Sequence, residues 1–72
     1  MNKKEILNLS NTMLFVHILD LEDKMSSDIA LRGSISKPTI KDFKISMEEI
    51  AKRFNMDLDV IVKERHLEHF WG

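Results

Sequence analysis

SDIALRGSISKPTIKDFK, residues 27–44, holds the chain's only proline and its only glycine before the last residue. Everything around it favours helix, so the break at Gly33 and the immediate restart through Ser36, Lys37 and Pro38 decide the fold. Gly33 suits a left-handed helix end. Ser36 suits an N-cap, and Pro38 suits a first helical turn, where its missing N–H costs nothing. Two helices joined through a sharp turn satisfy all three residues.

Outward from this turn, apolar residues recur at intervals of three and four and no β-branched alternation appears, which predicts an all-α fold of about five helices. A first helix runs from Ser10 or Asn11 to about Asp23, with Leu14, Ile18 and Leu21 on one face. Met13, Phe15, Val16 and Leu19 widen that face and predict burial on more than one side. Residues Lys3–Leu9 form either a preceding turn or part of the same helix. Ser26 or Ser27 caps a second helix that ends at Gly33, with Asp28 placed favourably for the helix dipole. The third helix begins at Ser36 and turns Ile40 and Phe43 to the core. After a connection of only Lys44-Ile45, Ser46-Met47-Glu48-Glu49 reads as a capping box opening a fourth helix. Asp57 or Asp59 opens a fifth, carrying Leu58, Ile61, Val62 and Arg65.

Seventy-two residues make one domain, 1–72, with 43% hydrophobic and 32% charged residues, the balance of a globular chain. With no cysteine, disulfides and thiolate metal sites are excluded. No run reaches the roughly 18 apolar residues of a membrane span. The start, MNKKEILNLSN, lacks a signal peptide's apolar stretch, so a cytoplasmic protein is expected. Net charge is −1, unlike the positive excess of most nucleic-acid binders. Residues 25–54 nonetheless carry six basic against four acidic groups, so the positive surplus lies around the opening stretch.

The spacing within that stretch fits a helix-turn-helix. Small Ala30 permits a close crossing, Ile35 fills the turn, and Ile40 follows ten positions after Ala30 on the next helix. Ile29-Ala30, Ile35-Ser36 and Thr39-Ile40, followed by Ile50-Ala51-Lys52-Arg53-Phe54-Asn55-Met56-Asp57-Leu58-Asp59, resemble the helix-turn-helix of Cro- and CI-type repressors, the XRE family. The resemblance covers about Ile18 to Ile61. It implies a lambda-repressor-like DNA-binding domain with the third helix as recognition helix. Ser36, Lys37, Thr39, Lys41 and Asp42 would stand nearest DNA, with Lys44 adding a further cation. The chain departs from the family at Ser34, where the turn glycine is expected, at Ser26, where a phosphate-contacting glutamine is common, and in the short Lys44-Ile45 connection. Its size and near-neutral charge are similar to the modulator-of-repression proteins of temperate phages.

Two functions follow. In the first, the chain binds a partner CI-type repressor and modulates or blocks that partner's hold on DNA, as an antirepressor in a phage genetic switch. In the second, it is a Cro-like repressor that binds operator DNA through the third helix. The short connection, Asp42 and the missing positive excess favour the first, because a DNA binder takes most of its nonspecific affinity from phosphate neutralisation. Each residue also has a plainer role: Lys37, Lys41 and Lys44 as a solvated face, Ser36 as a cap. Leu67, Phe70 and Trp71 form either a staple onto the first helix or a protein-binding patch. His66 and His69 lack a third convergent ligand, and His17 suits a hydrogen-bonded, partly buried place. No nucleophile–base pair or phosphate loop is present, so neither an enzyme, a cofactor nor a small-molecule substrate is expected.

Overall fold

Gly33 adopts φ 73°, the left-handed cap expected of it, in a computed structural model that describes residues 1–71. Its N–H closes the preceding helix on Ile29 O at 2.9 Å. The elements are α1 (Lys3–Leu7), α2 (Asn11–Arg32), α3 (Lys37–Arg53), α4 (Leu58–Glu64) and α5 (Glu68–Trp71), with no strand among the described residues. No helix there is long and apolar enough to cross a membrane.

The helices flanking the turn are much longer than expected. The predicted first and second helices are one continuous α2 of 22 residues, so neither Ser26 nor Ser27 is a cap; both are exposed mid-helix. Leu14, Ile18, Leu21 and Met25 continue a single buried stripe past the predicted break, and no glycine or proline interrupts it. Likewise the predicted third and fourth helices merge into α3, 17 residues long, with Lys44 and Ile45 inside it. Ser46 opens no capping box. It is fully buried, and its hydroxyl donates to the Asp42 carbonyl one turn back at 2.8 Å, the back-bond of a serine with helix preceding it. The capping box stands instead at Asn2 and Glu5, where each side chain accepts from the other's backbone N–H and starts α1.

The two long helices form an antiparallel hairpin. Arg53 at the end of α3 meets Leu9 just before α2 and Asn11 at its start, while His17 meets Asp42 midway. Around the hairpin's seam lie Ile6, Leu14, Ile18, Leu21, Met25, Phe43, Met47 and Ile50. The expected burial of α2 on more than one side is not met. Met13, Phe15 and Leu19 remain about half exposed, because α1, α4 and α5 pack chiefly against α3.

Helices α3 and α4 both end with a left-handed residue that is not glycine: Asn55 at φ 52° and His66 at φ 56°. In each case the next N–H reaches back five residues, Met56 to Ala51 O and Leu67 to Val62 O, both at 2.8 Å. This is the Schellman closure, which glycine serves without steric cost. His66→Gly is therefore expected to raise stability by about 1 kcal/mol in urea unfolding, and a loss would contradict this account of the turn.

Candidate functional site

The six residues expected near DNA or a partner divide between two faces of α3. Lys37, Lys41 and Lys44 lie together on the side away from α2, at intervals of four and three. With Ile40, Ile45 and Glu48 they line an open concavity of about 340 Å³. Ile40, expected in the core, is only half buried and contributes to this outer face. Lys37 and Lys41 are exposed; Lys44 Nζ sits 5.8 Å from the Trp71 ring centroid in a cation–π contact.

Thr39 and Asp42 do not share this face. Thr39 is buried, its hydroxyl 2.8 Å from that of Ser36, so Ser36 holds the N-cap position without a side-chain bond to the helix backbone. Asp42, 8% exposed, anchors a polar cluster inside the hairpin. Its Oδ1 is 2.8 Å from His17 Nε2 and accepts from Ser46 Oγ at 3.3 Å. Its Oδ2 accepts from the Met1 α-amino group at 3.3 Å. These contacts satisfy a carboxylate that would otherwise be costly to bury. A signal for this existed in the sequence: Thr39, Asp42, Phe43, Ser46 and Ile50 follow the inward spacing of one helical face. Truncation by Asp42→Ala is expected to cost about 2 kcal/mol in urea unfolding, and an unchanged midpoint would deny the cluster a structural role.

The tail is a staple, although its anchor lies on α3. Phe70 and Trp71 pack edge-on against Phe43, with ring centroids 6.5 and 6.1 Å away. Leu67 is half buried beside them. Trp71 is therefore a core support, and its truncation would disturb packing before any interface. His66 and His69 are separated by the left-handed turn at His66 and do not share a helix. Among the described residues, no three histidines or carboxylates gather closely enough to hold a metal ion.

Sequence reasoning missed Ile45 and Glu48, which became visible as part of this face only once α3 was seen to run through Lys44. Comparison with protein-family models, with curated proteins and with solved structures found no match.

Proposed function

We propose that this chain is a small transcription regulator that docks on a partner repressor of the CI type and modulates its hold on DNA. The observation that carries the reading is the outer face of α3, where Lys37, Lys41 and Lys44 surround Ile40 and Ile45. An apolar floor with a charged rim suits a protein surface, whose side chains match both. Supporting it, the chain exposes 5171 Å², more than the roughly 4,700 Å² typical of a folded monomer of 8.5 kDa. Phage regulation and the repressor's identity rest on the sequence resemblance alone.

The second reading, a Cro-like repressor binding operator DNA through α3, draws on the same three lysines. It is weakened by the inward turn of Thr39 and Asp42, which leaves three lysines, two isoleucines and Glu48 on the face: cations position a protein on DNA without reading its sequence, and the carboxylate repels phosphate. A salt titration of operator binding, with the chain alone and with the neighbouring repressor added, separates the two. The expected result is no specific binding alone and a lost or altered repressor–operator complex on addition. Specific binding by the chain alone, falling steeply as salt rises, would establish the second reading instead.

A further inference from the structure

We infer that the occupant of the α3 concavity is an acidic amphipathic helix of the partner, laid along Lys37, Lys41 and Lys44 with its apolar side on Ile40 and Ile45. This rests on the docking function proposed above and names the chemistry it requires.

Lys37, Lys41 and Lys44 follow an i, i+4, i+7 pattern and span about 10 Å along the axis of α3, two helical turns. A second helix lying beside α3 repeats at the same pitch, so carboxylates at its own i, i+4 and i+7 positions meet the three ammonium groups in one register. An extended peptide places same-side residues every ~6.6 Å and falls out of step. Between the cations, Ile40 and Ile45 offer an apolar floor that rewards aliphatic side chains on the incoming face.

The far end of the concavity sets direction and excludes competitors. Glu48 lies one turn beyond Lys44 and repels a uniformly negative ligand, while matching a helix whose acidic run ends in a basic or neutral residue. Duplex DNA presents charge without such a break. An anionic membrane would need a broader apolar face than two isoleucines. Lys44 is held over the Trp71 ring, which places the chain's single tryptophan beside the site as a built-in reporter.

The test uses the full chain and a synthetic amphipathic peptide of about five helical turns, with glutamates at i, i+4 and i+7 beside leucines, followed through Trp71 emission. A matched peptide carrying glutamine for glutamate, duplex DNA and phosphatidylglycerol vesicles are titrated in parallel. The expected result is saturable binding of the acidic peptide, weakened about tenfold by Lys41→Glu and about threefold by Lys41→Gln. Both variants should keep wild-type circular dichroism, since Lys41 is exposed. Equal binding of the glutamine peptide, insensitivity to both Lys41 variants, or tighter binding to DNA or vesicles would overturn the assignment. If Lys41→Glu still alters the repressor–operator complex as the unmodified chain does, this assignment fails while the docking function stands. If the acidic peptide binds as expected but the repressor complex is untouched, the groove's chemistry stands and the repressor reading fails.

Discussion

Phe43→Ala is expected to destabilise the chain by about 4 kcal/mol. Phe43 is 1% exposed and stands where the hairpin seam meets the tail, with Phe70 and Trp71 both edge-on to its ring. Alanine there removes the buried ring, leaves a cavity, and deprives two further aromatics of their packing partner. A domain of this size has a total stability of about 4–10 kcal/mol, so the variant should be barely folded at room temperature. Urea unfolding followed by circular dichroism measures the loss, and Trp71 emission should shift to the red as the tail comes free. A loss under about 2 kcal/mol would mean that the tail does not depend on Phe43.

Arg53→Ala is expected to cost about 3 kcal/mol, the second largest effect. One guanidinium ties three segments together. Its Nε donates to Glu49 at 2.7 Å, Nη1 to Leu9 O at 2.7 Å and to Asn11 Oδ1 at 3.2 Å, and Nη2 to Leu7 O at 3.0 Å. The carbonyls of Leu7 and Leu9 lie at and just beyond the end of α1, where helical partners have run out. Without the fork these groups lose their partners, and α1 loses its main polar tie to the hairpin. Arg53→Lys should recover little, because a single ammonium cannot span the same fork. Hydrogen exchange would localise the effect: amides of α1 should lose protection before those of α2 and α3. Uniform loss across all helices would show that Arg53 supports the core as a whole.

The chain's punctuation was legible and its continuity was not. Gly33, Ser36 and Pro38 marked the turn between α2 and α3, and Ser10 marked the start of a long helix, because each residue's backbone preference acts locally. The lengths of α2 and α3 were hidden by serines that look like caps. A serine caps a helix only where the chain has other reason to stop; at Ser26 and Ser46 the buried stripes of Met25 and Met47 carry the helix through. Those same lengths replace the short helix pair of the repressor-like reading with a hairpin, turn Thr39 and Asp42 inward, and join Ile45 and Glu48 to the lysine face. The long-range role of Arg53 was beyond local pattern, although its i, i+4 pair with Glu49 was not. Two of its acceptors are backbone carbonyls 44 and 46 residues away, which carry no mark in the sequence.

The lysines illustrate the middle case. Their clustering at three and four was plain, and so was their position after the turn. What they surround depended on the rotation of α3 against α2, where one residue's step is about 100°. Asp42 lies one step from Lys41 and ends inside the protein.

The most direct test of docking through α3 is chemical-shift mapping of the isotopically labelled chain as the partner repressor is added. The largest amide perturbations are expected along Lys37, Lys41, Lys44 and Glu48, with the Trp71 indole signal moving in step. Perturbations centred on the exposed Phe15 and Leu19 of α2, with α3 silent, would contradict it and move the interface to the opposite side of the hairpin.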